Sequence, residues 1–307
     1  MKWKKQGIVY CPDGSVPWSK SHAMAPTPVR ISEEIIRVFV TFCDENMIGR
    51  TGFVDVLASN PAHVIHVSSQ PVLDIGKAGT FDENGVLTCS VAHVGQHVWH
   101  MYYAGFELGT KIRYRLLTGL AISYDNAATF QRVQQTPVLE RSDKELYFRG
   151  GPYCMVENGK FRLWYVAGSE WLDLNEKPMP IYDLRYVESP DGINFPLQGK
   201  VHLAVTETDE HGFGRPCVIA KPGGGYRLFY SIRRKSLSAY RLGYAESPDG
   251  FHWTRMDGKL NLDISPGSFD SDAIMYAAPI QVGNKLHVFY NGNDFGRYGF
   301  AIASLEE

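Results

Sequence analysis

The 307-residue sequence predicts an all-β chain wound as a five-bladed β-propeller, with four antiparallel strands in each blade. Three observations carry that expectation. A serine-marked turn recurs at Ser59, Ser123, Ser189, Ser247 and Ser304, with separations of 64, 66, 58 and 57 residues. Upstream of each serine lies an apolar run rich in aromatics, and before that another strand-like run, often led by proline. Helical periodicity is nearly absent, and self-similarity at a steady period marks a ring or array of repeated units.

In chain order, the first strands of the repeats are expected at "PTPVRI", "TCSVAHV", "GPYCMVENG", "RPCVIAKPGGG" and "APIQVGN". The second strands follow at "RVFVTF", "VWHMYYAG", "FRLWYVAG", "YRLFYSIR" and "LHVFYNGN". Third strands run into the turns "VLASNPAHV", "LAISYDNAATF", "YVESPDG" and "YAESPDG", and the last ends in "GFAIAS". A fourth strand follows every turn except the last, where the sequence stops at "AIASLEE". The opening "MKWKKQGIVY" places Trp3 as Trp253 is placed in "GFHWTR". Residues ~2–10 are therefore expected to complete the last blade, closing the ring and removing two sheet edges. On this reading residues 1–307 form a single domain.

The turn itself has a local explanation. In "SPDG" the proline presets φ, the aspartate bonds backbone amides beyond it, and the glycine takes a positive φ. The aromatic that follows is expected to pack between blades. Glu188 and Glu246 stand at equivalent places in two repeats. Both read as scaffold, because a single site needs unlike groups converging.

Composition narrows the classes. The chain is 44% hydrophobic with a formal charge of −2, which does not favour nucleic acid. No stretch approaches the ~20 apolar residues of a membrane span, and the N-terminus lacks a signal-peptide core, so a cytoplasmic location is expected. Cys11, Cys43, Cys89, Cys154 and Cys217 are odd in number and scattered without a C-x-x-C pair. That suits reduced thiols rather than a disulfide framework or zinc site, and neither metal nor cofactor is expected. "KPGGGY" lacks the lysine and helix of a phosphate loop.

Function in a ring of blades is expected where the innermost strands begin, since those ends surround the funnel and escape the repeat. The lead-ins contribute Trp18 and His22, Asp82 and Glu83, Arg149 and Tyr153, His211 and Arg215, then Asp270, Asp272 and Tyr276. Asn291, Asn293 and Arg297 in "NGNDFGRYGF" are further candidates for ligand contact. Carboxylates accept hydroxyl hydrogen bonds, aromatic faces stack on sugar C–H surfaces, and arginine forks grip a carboxylate or phosphate. The expected partner is a carbohydrate or sugar nucleotide. Each residue also has a bland reading. The aspartates suit turns, and the arginines could tie neighbouring blades through backbone carbonyls.

The motifs "FRGGPYC…RLWYVAG", "YDLRYVESPDG", "GRPCVI…YRLFYSIR", "FDSDAIMY" and "FYNGNDFGRYGFAIA" resemble the five-bladed glycosidase superfamily of invertases, levansucrases, arabinanases and β-xylosidases. More closely, the chain is similar to glycosidase-like proteins of bacterial surface-polysaccharide gene clusters. The resemblance implies acids at the inner-strand starts of the first three blades. Here the first offers "SHAMAPTP", the third offers Arg149 and Gly150, and only Asp82 on the second is comparably placed. Glycoside hydrolysis ordinarily uses two carboxyl groups. The expectation is therefore a glycosidase-like enzyme with Asp82 or Glu83 facing Asp270 or Asp272, and with Arg149 and Arg215 holding an anionic group. A non-catalytic carbohydrate-binding propeller is the alternative, and a sialidase-like enzyme, suggested by the Asp-box turns, is the next.

Overall fold

The computed structural model describes residues 1–174, 176–237 and 239–306. Among these, helix is confined to three short segments, Pro17–Ser19, Asp257–Leu260 and Asn293–Gly296. No helix among the described residues is long and apolar enough to cross a membrane.

The strands are β1 (Lys2–Tyr10), then a run of β2 (Ser21–Arg30), β3 (Ile35–Cys43), β4 (Gly49–Leu57) and β5 (Asn60–Val67). The next run is β6 (Val86–Gly95), β7 (Val98–Leu108), β8 (Tyr114–Ser123) and β9 (Gln131–Arg132). There follow β10 (Phe148–Glu157), β11 (Lys160–Leu174), β12 (Lys177–Ser189) and β13 (Lys200–Leu203). After them come β14 (Glu210–Ala220), β15 (Tyr226–Arg234), β16 (Ala239–Ser247) and β17 (Thr254–Arg255). The last are β18 (Met275–Val282), β19 (Lys285–Asn291) and β20 (Phe300–Glu306). Within each run consecutive strands pair antiparallel, and β1 pairs antiparallel with β20. Short parallel bridges, Phe148↔Leu116 and Tyr182↔Gly212, join one run to the next.

Alternation along the second strand of each run explains how the runs pack. Side chains of successive strand residues point to opposite faces. Phe39 packs with Trp99 and Tyr103, while its neighbour Val40 packs with Phe289 and Phe300. Tyr102 then joins Leu163 and Tyr165, Trp164 joins Phe213 and Tyr230, and Phe229 joins Val288 and Tyr290. Each second strand is thus buried on both faces, which is why these segments read as unbroken apolar runs. The series of clusters returns to its start. The first strands follow the same cycle, β2 packing on β6 and β18, and β10 on β6 and β14.

The Ser/Asp turns have one hydrogen-bond pattern. Ser189 Oγ donates to Asp191 Oδ1 at 2.7 Å and accepts from the Gly192 amide, while Asp191 accepts from the amides of Ile193 and Asn194. Ser247 and Asp249 repeat it, as do Ser123 and Asp125. These bonds hold the Asp125 carboxyl down at about 2, against the opposing effect of its partial burial. Two anchors differ. Ser59 falls in the tight β4–β5 connection, past the end of β4, because a short hairpin replaces the longer turn there. Ser304 lies within β20, where it bonds His287 Nδ1 at 2.8 Å.

Candidate functional site

Every first strand carries a register shift near its start: Met24/Thr27, Thr88/Ser90, Gly150/Tyr153, Gly214/Cys217 and Met275/Ala278. In four of them a residue within the shift has a left-handed backbone: Ala25 at φ 54°, Gly151 at 57°, Arg215 at 38° and Tyr276 at 58°. Pro26, Pro152 and Pro216 follow three of these; having no N–H, they cannot donate to the ladder and favour a bulge. Side chains satisfy several of the amides set free. Asn291 Oδ1 accepts from Ala25, Ser90 Oγ from Cys154, and Ser231 Oγ from Tyr276.

The bulges border a cavity of about 530 Å³ that takes lining residues from every run. His22, Met24 and Cys43 come from the first, and Cys89, Phe106, Arg113 and Tyr114 from the next. Phe148 and Tyr182, then Arg215, Arg233 and Tyr240, and finally Tyr276 and Phe295 complete the wall. Tyr182 and Tyr240 share a hydrogen bond of 2.6 Å. Their rings fit because β14 is glycine-rich: a Cβ on Gly212 would collide with the Tyr182 ring, and one on Gly214 would stand 3.2 Å from Tyr240. The Arg233 guanidinium lies 5.1 Å from the Tyr240 ring centroid and 5.8 Å from that of Phe295. No carboxylate lines the cavity among the described residues.

Burial sets the protonation states. It lifts Tyr182 and Tyr276 well above the ordinary phenol range, reinforced by Tyr240 and opposed by Arg233. Arg233 stays firmly cationic: burial works against its charge, and the surrounding tyrosine oxygens more than offset that. Cys43 and Cys89 are pushed up to about 12 by burial and so are neutral thiols. His22 is lowered, first by burial and then by Arg297, with Asp294 opposing, so its imidazole is neutral at pH 7.

Of the residues expected from sequence, His22, Arg215 and Tyr276 line the cavity, and the others do not. Arg215 donates from Nη2 to Pro26 O at 2.7 Å and Thr27 Oγ1 at 2.6 Å, and from Nη1 to Tyr276 O at 3.0 Å. It thereby ties β14 to β2 and β18, with a longer contact of 3.5 Å to Cys89 O on β6, the bland reading foreseen for it. Arg149 is enclosed, paired with Glu145 at 2.5 Å and donating to Glu140 O and Pro196 O. Trp18 packs edge-on against Phe42, Tyr153 packs in the cluster around Trp164, and His211 Nδ1 sits 3.0 Å from Pro180 O. Asn291 binds Ala23 O and Gly299 O, Asn293 accepts from the Asp272 and Ala273 amides, and Arg297 stands beside His22.

The four carboxylates are likewise engaged elsewhere. Asp82 accepts from Tyr103 Oη at 2.9 Å and pairs with Arg132 at 2.7 Å, and Asp270 accepts from Tyr290 Oη at 3.4 Å and pairs with Lys5 at 2.5 Å. Glu145 takes the same position between Tyr165 and Arg185. In these three the acid precedes its tyrosine by 21, 20 and 20 residues, so the arrangement is a repeated one. Glu83 accepts from the Gly79 amide, and Asp272 bonds Ser271 and Asn293 in a turn.

Sequence reasoning missed Arg113, Tyr114, Tyr182, Arg233, Tyr240 and Phe295. Arg233 had a signal: it stands three residues beyond the tyrosine of "LFYSIR", where other repeats have Cys43, Phe106, Gly168 and Asn293. The position varies, as a site residue should. Tyr182 and Tyr240 had a misleading signal, since each stands seven residues before its serine and so reads as scaffold.

No family model matches the chain. Two Mycobacterium tuberculosis proteins, the uncharacterized proteins MT1551 and Rv1502, are 30% and 29% identical over 306 residues, spanning the full length of each. Among solved structures, a complex of BT0996 with RGII superposes with a TM-score of 0.76 at 19% identity, over 99% of this protein and 91% of that one. A glycosyl hydrolase from Bacteroides ovatus gives 0.70 at 15% identity over 96% and 90%. A thermostable family-43 glycoside hydrolase gives 0.63 at 14% identity over 92% and 88%. At these identities the likeness is one of fold.

Proposed function

We propose that this chain, which belongs to one family with the two mycobacterial proteins and has the β-propeller fold of the glycoside hydrolases it superposes on, is a glycosidase-like protein that takes a glycan end into its central cavity. On this reading it is a single five-bladed domain, with β1 completing the blade of β18–β20. The observation that carries the proposal is the cavity itself. It lies at the bulged starts of the first strands and is lined by aromatic rings, phenol hydroxyls and guanidinium groups, the chemistry that suits a polyhydroxylated ligand. A second groove of about 400 Å³, lined by Ser169, Glu170, Asp183 and Arg185, shares Tyr182 with the cavity.

Within the cavity, the neutral His22 is the group that moves a proton, and the Tyr182–Tyr240 hydroxyl pair donates a hydrogen bond to the reacting sugar oxygens, in place of paired carboxylates. Incubation with a panel of neutral and acidic oligosaccharides and nucleotide sugars, read by mass spectrometry, tests the proposal. Product is expected from the native protein and not from Tyr240→Phe. Turnover that survives Tyr240→Phe, Tyr182→Phe and His22→Gln would refute it.

One observation favours a second reading, a non-catalytic carbohydrate-binding propeller: the absence of carboxylates from the lining among the described residues. The same panel separates the two, because that reading expects saccharide binding without product.

A further inference from the structure

Charge within the cavity is one-sided. Three guanidinium groups, those of Arg113, Arg215 and Arg233, line it without a single carboxylate among the described residues. At the rim Asp294 and Arg297 both act on His22 and oppose one another there. Neither Arg113 nor Arg233 forms an ion pair among the described residues; each lies instead against aromatic rings, Arg113 at 5.7 Å from Tyr114 and Arg233 at 5.1 Å from Tyr240. Arg215 is 2% exposed, and although both its Nη atoms are bonded, its Nε–H has no partner. A half-buried guanidinium without a counter-ion and a buried N–H without an acceptor are both costly. Elsewhere in the chain largely buried guanidinium groups have carboxylate partners, as Arg132 has Asp82 and Arg185 has Glu145.

We propose that the missing counter-ion is the substrate's own: the cavity selects a sugar that carries an oxyanion, a carboxylate or a phosphate ester, gripped by Arg233. The Tyr114, Tyr182 and Tyr240 hydroxyls hold the sugar beside it, and Arg113 at the exposed edge attracts the charge. This rests on the reading of the cavity as a saccharide site and adds its specificity. Arginine is suited to the task because its planar fork offers two parallel N–H donors to two oxygens of one oxyanion.

Saturation-transfer NMR and calorimetry with D-glucuronate, D-galacturonate, D-glucose 6-phosphate, D-glucose and inorganic phosphate test the proposal. An acidic sugar is expected to bind better than glucose, and the arm that binds, uronate or phosphate ester, identifies the oxyanion. Arg233→Met is expected to weaken that binding by about tenfold or more, with Arg233→Lys intermediate. Arg227→Gln, on the separate basic groove beside Lys2 and Lys285, is expected to leave it unchanged. Glucose binding as tightly as the acidic sugars, inorganic phosphate binding as tightly as any sugar, no acidic sugar binding at millimolar concentration, or an Arg233→Met protein that binds normally would each overturn the proposal. If a neutral oligosaccharide is turned over and Tyr240→Phe abolishes that turnover while Arg233→Met does not, the oxyanion proposal fails and the saccharide site stands.

Discussion

The phenol oxygens of Tyr182 and Tyr240 lie 2.6 Å apart although the residues are 58 apart in sequence. Each stands on the third strand of its own repeat, seven residues before the turn serine, and the two meet because neighbouring repeats converge towards the cavity. Removing one hydroxyl breaks the pair without emptying the ring's space. Tyr240→Phe is expected to lower turnover of whichever saccharide proves to be the substrate by about a hundredfold or more. Binding should weaken by less than about tenfold. Weakened affinity with kcat unchanged would assign the hydroxyl to binding alone.

Arg215 is a tie between strands as well as a cavity wall. Arg215→Met leaves the Pro26 and Tyr276 carbonyls without a donor, and is expected to cost about 2–4 kcal/mol of stability in urea unfolding. A variant as stable as the native protein would show that the first strands do not depend on this contact.

The repeated Tyr–acid–cation sets are expected to behave as scaffold. Asp82→Asn and Asp270→Asn are expected to lower stability by about 1–3 kcal/mol through the weakened Arg132 and Lys5 pairs. Saccharide binding, followed by saturation-transfer NMR, should be unchanged. Loss of binding or turnover in a fully folded Asp82→Asn protein would return that carboxylate to the site.

Acid should destabilise the chain in two stages. His22, His100, His202, His211 and His287 are all lowered by burial, His202 to about 4 from 6.5. Below pH 6.5 the unfolded chain takes up protons that the folded chain refuses, so stability is full above that pH and falls between about 6.5 and 4. Asp125, lowered to about 2, contributes stability above its ordinary 3.8 that is lost only as pH falls through about 2. Melting temperature against pH should show the first decline beginning near 6.5, and His202→Gln should make it shallower. A flat profile down to pH 4.5 would contradict the assignment.

Much of the fold is written locally, and so the sequence by itself determined it. The near-continuous apolar runs in "FRLWYVAG" and "YRLFYSIR" specify strands buried on both faces, and "ESPDG" specifies its turn through bonds within five residues of one another. That reasoning also demoted Glu188 and Glu246, which bond Tyr186 and Lys160, and Tyr244 and Lys221. The same rule, that repeated residues are scaffold, dismissed Tyr182 and Tyr240. It suits positions far from the centre, where symmetry-related residues stay apart, and fails near the centre, where they touch. Only the tertiary structure decided which side chains share the cavity. Whether Arg215 faces a ligand or ties β2 to β18, and whether Asp82 finds Arg132, depends on where separate repeats bring their strand ends. Those distances arise from packing between runs, and no spacing along the chain encodes them.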